Sequence, residues 1–127
     1  MRPDARPPAP DREQLGRDTE ARAARLLESS GLVLVARNYR CRTGELDLVA
    51  LGHGVLVVAE VRLRTSRAFG GAAASVTWHK QRRIVRATRH LLAHHAELAH
   101  LPVRFDVLVA DGPAAPLHWI RGAFDAR

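Results

Sequence analysis

Two apolar segments, Glu45–Leu51 and Val55–Arg64, stand on either side of Gly52-His53-Gly54, and both carry charged residues at strand spacing. Their length, their Val and Leu content and the glycines between them predict a hairpin of two strands. Alternation puts Glu45, Asp47, Val49 and Leu51 on one face of the earlier strand, with Leu46, Leu48 and Ala50 on the other. In the later strand Leu56, Val58, Glu60, Arg62 and Arg64 share a face. A two-residue Gly52-His53 loop would pair Leu51 with Gly54, set Glu45 opposite Glu60 and leave Asp47 diagonal to it.

Three carboxylates and Arg62 then meet on one sheet face, an arrangement that like-charge repulsion disfavours unless something compensates. A hard divalent cation does so, because Mg²⁺ takes one or two carboxylates and completes its shell with water and phosphate oxygens. Beside a phosphodiester it would polarise a phosphoryl oxygen and lower the pKa of a bound water. Arg62 is then placed to stabilise the developing charge. The competing reading is a solvated strand pair in which Glu45, Asp47, Arg62 and Arg64 neutralise one another. Spacing leaves both open.

The remaining elements frame this hairpin. From Glu13 to Ser29 the apolar positions Leu15, Ala23, Leu26 and Leu27 recur at helical spacing and Gly31 follows as a stop, with Glu20 bordering the buried stripe. Leu32–Ala36 reads as a strand, with Arg37 and Asn38 either capping its end or contacting a phosphate. Residues 65–76, with Gly70 and Gly71, read as a loop into a second helix from about Thr77. One side of that helix is an apolar stripe that takes in Trp78, Ile84, Val85 and Leu91, and the other carries Lys80, Arg82, Arg83, Arg86 and Arg89. Trp78 is expected in the core. Val103–Val109 and Leu117–Ile120 read as two more strands, with Arg104 and Asp106 paired on one face. The order predicts a single α/β domain, residues 13–124, in which helices flank a mixed sheet. Residues 1–12, holding four of the seven prolines, and 125–127 are read as tails.

A net charge of +7 favours a polyanionic partner. Nucleic acid ranks above an anionic membrane surface. Arg37, Asn38, Arg64, Lys80, Arg82, Arg83 and Arg86 are the candidate contacts. A single cysteine, Cys41, precludes an internal disulfide, and no apolar run has the length of a membrane span. A soluble, cytoplasmic protein is expected. His90 and His94 have metal-compatible spacing, but no His-Glu-x-x-His motif accompanies them, so they are read as surface residues.

The segment Gly44-Glu45-Leu46-Asp47-Leu48-Val49-Ala50, followed by Val57-Val58-Ala59-Glu60-Val61-Arg62, resembles the signature of the YraN-like proteins. Gly16 and Glu20, Arg37-Asn38, Lys80-Gln81-Arg82-Arg83-Ile84, Arg104-Phe105-Asp106 and Ala123-Phe124 extend the resemblance over nearly the whole domain. It implies a restriction-endonuclease-like fold of the PD-(D/E)XK nuclease superfamily, a Mg²⁺ or Mn²⁺ cofactor and action on DNA in repair or recombination, with a homodimer left open. Asp47 and Glu60 would be metal ligands and catalytic residues, Glu20 would complete the metal site, and Glu45 belongs to the same motif. One position departs from the pattern. Arg62 stands where the family has lysine, and a guanidinium is bulkier, forked and always protonated, so it cannot act as a base. Either a working site tolerates the change, or the chain is an inactive nucleic-acid-binding module of the same fold. Lys80, the only lysine among 20 Lys and Arg, is the candidate to supply the missing ammonium or to bind phosphate.

Overall fold

The computed structural model describes residues 11–64 and 76–126. Helix α1 spans Arg12–Ser29 and begins where a side chain satisfies its free N–H groups: the Asp11 carboxylate accepts the Gln14 N–H at 2.6 Å. The helix therefore starts a residue earlier than apolar periodicity indicated. Strands β1 (Val33–Cys41), β2 (Gly44–Gly52) and β3 (Val55–Leu63) follow as an antiparallel meander. Helix α2 (Trp78–His94), capped by the Thr77 hydroxyl, then crosses to β4 (Val103–Ala110), which lies parallel to β3. A short 3₁₀ turn at Ala96–Leu98 intervenes, and β5 (Leu117–Phe124) closes the sheet antiparallel to β4. The sheet order is β1-β2-β3-β4-β5. This is the expected α/β architecture, a mixed sheet flanked by helices and consistent with a restriction-endonuclease-like fold. Of the expected tail 1–12, residues 1–10 fall outside the described residues, as do 65–75 of the expected loop 65–76, whereas Asp11 and Arg12 cap and begin α1 and are not tail.

Each helix covers one face. Ala23, Ala24 and Leu27 of α1 pack with Leu48, Ala50, Val57, Ala59 and Leu108. On the other face Ile84, Val85, Ala87 and Leu91 of α2 pack with Leu46, Val49, Leu56, Val58 and Val107. The central strands β2, β3 and β4 are thus apolar on both faces, as a sheet covered twice requires.

Three strand expectations are corrected. The β2–β3 loop is His53-Gly54, not Gly52-His53, because Gly52 pairs with Val55 and Leu51 with Leu56. Both loop residues have positive φ, 56° and 76°, the pattern of a type I′ hairpin, and its twist matches that of the strands it joins. The register moves by two residues, so face assignments near the turn survive while Glu45 no longer lies opposite Glu60. Second, β1 runs through Arg37 and Asn38 to Cys41 and does not end at Ala36. Third, the faces of β2 do not alternate regularly: Leu46 packs on the α2 side and Leu48 on the α1 side. The switch occurs at Asp47, beside β1, where Asn38 takes a left-handed φ of 50°. Asparagine tolerates that conformation better than other non-glycine residues.

Candidate functional site

The face switch places Asp47 where β2 and β3 separate. Ladder pairing between them is recorded as far as Leu48 and Ala59, and beyond it the Asp47 carboxylate accepts the Val61 N–H at 2.9 Å. A side chain thus takes the place of a backbone acceptor, and the acid is held rigidly in the gap. Glu60 lies next to Val61, on the α2 side of β3. It is only 4% exposed, and its Oε2 is buried without a hydrogen-bond donor. Such a group is costly to bury unless something else satisfies it.

Burial is the main force pushing the Glu60 carboxyl up to about 9, and the negative charge of Asp47 and the hydrogen bond between the two acids push the same way. The charges of Lys80 and Arg62 oppose this. Lys80 Nζ approaches Glu60 Oε1 at 3.9 Å, beyond direct hydrogen-bond distance, so it offsets only part of the burial cost. The raised carboxyl of Glu60 therefore holds its proton near neutral pH, and a cation bound beside Asp47 would have to displace it.

On the α1 side Glu20 adjoins this pair. Its carboxyl is raised first by burial and then by Asp47 and, more weakly, Glu45, against an Asn38 hydrogen bond and the charge of Arg37. Glu20 from the α1 side and Glu60 from the α2 side thus flank Asp47, and the expectation that Glu45, Asp47 and Glu60 share one sheet face fails because β2 switches faces at Asp47. Glu45 is engaged by Arg40 at 3.5 Å. Among the described residues no three His, Cys, Asp or Glu side chains are grouped to enclose a metal ion. A cation that draws most of its shell from water and phosphate oxygens needs fewer protein ligands, and Asp47 with the orphaned Glu60 oxygen fits that demand.

The cationic residues divide. Arg62, Thr77, His79, Lys80 and Arg83 line a recess of about 250 Å³ with no carboxylate among them. Arg83 is held near by a close approach of α2 to β2, since a Cβ on Gly44 would lie 2.9 Å from the Arg83 carbonyl oxygen. Arg86 is exposed further along α2. Arg64 is engaged elsewhere: its guanidinium donates to Asp111 at 2.7 Å. The neutralising set of Glu45, Asp47, Arg62 and Arg64 does not form, because Arg40, Val61 and Asp111 take those places.

Residues 19–110 match the Uncharacterised protein family UPF0102. The chain belongs to the UPF0102 family. UPF0102 proteins similar to it include one from Alcanivorax borkumensis, 49% identical over 116 residues that cover 89% of this chain and 93% of the relative. Another, from Xanthomonas euvesicatoria pv. vesicatoria, is 51% identical over 115 residues, 91% of this chain and 94% of the relative. A third, from Pseudomonas syringae pv. syringae, is 44% identical over 118 residues, 91% and 96% of the respective chains. This is the YraN-like family that the Gly44–Arg62 signature resembled.

Two features of this UPF0102 chain were not apparent in its residue pattern. Trp78, expected in the core, is 65% exposed at the start of α2, and Arg82 lies over its ring with Cζ 5.6 Å from the centroid. The helical stripe extends to position 78, but that turn of α2 projects past the apolar cluster, which Val76 closes instead. Asp106 is fully buried and takes four donors: two from Arg104 at 2.9 Å, Trp119 Nε1 at 2.9 Å and the Gly122 N–H at 3.0 Å. The Arg104–Asp106 pair is as expected, and it is structural. His90 and His94 are exposed and stacked at 4.3 Å, and Cys41 is half-buried. No helix among the described residues is long and apolar enough to cross a membrane.

Proposed function

We propose that this UPF0102 protein is a Mg²⁺- or Mn²⁺-dependent nuclease-like protein that binds nucleic acid, DNA ahead of RNA, and hydrolyses its phosphodiester backbone. The observation that carries this reading is the buried, orphaned Glu60 oxygen beside Asp47, with Lys80, 3.9 Å from the other Glu60 oxygen, lining the neighbouring cationic recess. The residues that would hold the ion are Asp47 and Glu60, with Glu20 adjoining. Bound there, it would supply Lewis-acid polarisation of the phosphoryl oxygen and a more acidic water.

The protein's own groups do the rest. Arg62, Lys80 and Arg83 hold the phosphate by charge, and the rigid placement of Asp47 by the Val61 N–H fixes the acid against it. Lys80 takes the part of the lysine that Arg62 replaces: it comes from α2, not β3, yet its Nζ lies 3.9 Å from Glu60. An ammonium can transfer a proton where a guanidinium cannot.

The test incubates wild type, Asp47→Asn, Lys80→Gln and Lys80→Arg with end-labelled single-stranded, duplex and branched DNA and Mn²⁺. Cleavage by wild type that falls about 100-fold or more in Asp47→Asn and Lys80→Gln, with binding kept in Asp47→Asn, is the expected outcome. Failure of Lys80→Arg to restore it would assign the ammonium a role beyond charge. Cleavage by Asp47→Asn at the wild-type rate would refute the site. A second reading has one observation in its favour, the guanidinium of Arg62 at the lysine position. On that reading the same groove binds nucleic acid without cutting it, and wild type would bind every substrate in a salt-dependent manner and cleave none.

A further inference from the structure

Trp78 is the largest exposed apolar side chain among the described residues; it lines a recess with Gln81, Arg82, Val85 and Asp125, and the cationic recess of Lys80 and Arg83 begins at the next residues of α2. A single exposed apolar side chain is ordinary at a protein surface, so the 65% exposed indole gains meaning only from the groups beside it. The other large exposed apolar residues, Val33 and Val35, belong to edge strand β1. Around Trp78 stand Arg82 over the ring and His79 against its edge, with ring centroids 5.4 Å apart. His79 and Lys80, the next two residues of α2, line the recess that also holds Arg62 and Arg83. A planar aromatic surface therefore adjoins a cationic recess within one helical turn, about 5.4 Å of rise.

We propose that Trp78 is a stacking platform for an unpaired nucleobase, so that the site takes nucleic acid that is single-stranded, or opened, next to the phosphate held in the recess. This rests on the nucleic-acid reading of that groove and adds the substrate class. The physical reason is geometric. In a duplex the base faces are occupied by neighbouring bases, and only a base out of the stack offers a face to an indole. Stacking is indifferent to base identity, because every base has a π-face, so the preference is for structure and not for sequence. Arg82, with Cζ 5.6 Å from the ring centroid, covers one side of the indole, so a base would stack on the other.

The protein supplies its own reporter. It has two tryptophans, and Trp119 is already engaged, with Nε1 donating to Asp106 and Arg121 Cζ 3.9 Å from its ring centroid. Fluorescence and anisotropy titrations in EDTA compare labelled oligothymidylate with a hairpin duplex of equal charge, for wild type, Trp78→Ala, Trp78→Phe and Arg83→Ala. Oligothymidylate is expected to quench wild-type fluorescence, and Trp78→Ala to weaken single-strand binding about tenfold while changing duplex binding less than twofold. Trp78→Phe should restore part of the affinity, and Arg83→Ala should weaken both ligands alike. Equal single-strand affinity in wild type and folded Trp78→Ala, or equal losses for both ligands, would overturn the stacking platform and leave the groove intact. If neither nucleic acid binds, the groove reading fails and this inference with it. A blue shift of Trp78 on anionic phosphatidylglycerol vesicles, with no response to oligothymidylate, would likewise overturn it in favour of a membrane surface.

Discussion

Glu60 is the residue on which folding and chemistry make opposite demands. Its carboxyl is raised from 4.5 to about 9, chiefly by burial, so the unfolded chain releases a proton that the folded chain retains. The stability this contributes is full below pH 4.5 and is lost as pH rises through 9. Glu20, raised for the same first cause, acts in the same direction. Glu60→Gln replaces the protonated acid with a neutral amide that can donate to Asp47. In EDTA it is expected to be more stable than wild type at pH 8, by on the order of 2 kcal/mol, with the difference vanishing near pH 4.5. Urea unfolding at the two pH values measures this, and an equal or lower stability of Glu60→Gln at pH 8 would show that Glu60 is charged in the fold. Asp106 is the contrasting case, equally buried but supplied with four donors, and it reads as structure.

The β2–β3 hairpin sets the geometry between these acids, and its turn carries a testable strain. Gly54 has φ 76° with open space around its Cβ position, so Gly54→Ala meets no clash, only the cost of a left-handed backbone, about 1 kcal/mol. Gly44→Ala is expected to cost more, about 1–3 kcal/mol, because its Cβ would meet backbone of α2 at 2.9 Å. Chemical denaturation of the two variants ranks them, and the reverse order would contradict the close approach of β2 and α2. The existence of this hairpin was legible in its residues, since Val and Leu runs around glycine admit little else. Its register was not. Gly52-His53 and His53-Gly54 are both acceptable two-residue loops by composition, and only the pairing of Gly52 with Val55 decides between them. The meeting of Asp47 and Glu60 was foreseen for a partly wrong reason, because regular alternation was assumed where Asp47 interrupts it. Trp78 was misplaced because periodicity reports which face of a helix is apolar and not where along the helix the core ends.

Across the whole molecule, a charge of +7 with a cationic recess at one acidic site sets the response to salt and pH. Nucleic-acid affinity is expected to fall steeply between 50 and 200 mM salt, and Arg83→Ala to make that slope shallower by about one contact. A salt-independent affinity would assign the charge to another purpose. Because an ion entering the site must displace the proton that Glu60 retains, divalent-cation affinity should rise with pH toward 9, with protons released on binding. Calorimetric titration of Mn²⁺ into wild type, Asp47→Ala and Glu60→Ala, with a short non-cleavable DNA present to complete the coordination shell, probes this site without knowledge of the natural substrate. Stoichiometric uptake by wild type, abolished in both folded variants, is the result expected of a metal-assisted phosphodiesterase site, and no uptake by wild type at millimolar Mn²⁺ would contradict it.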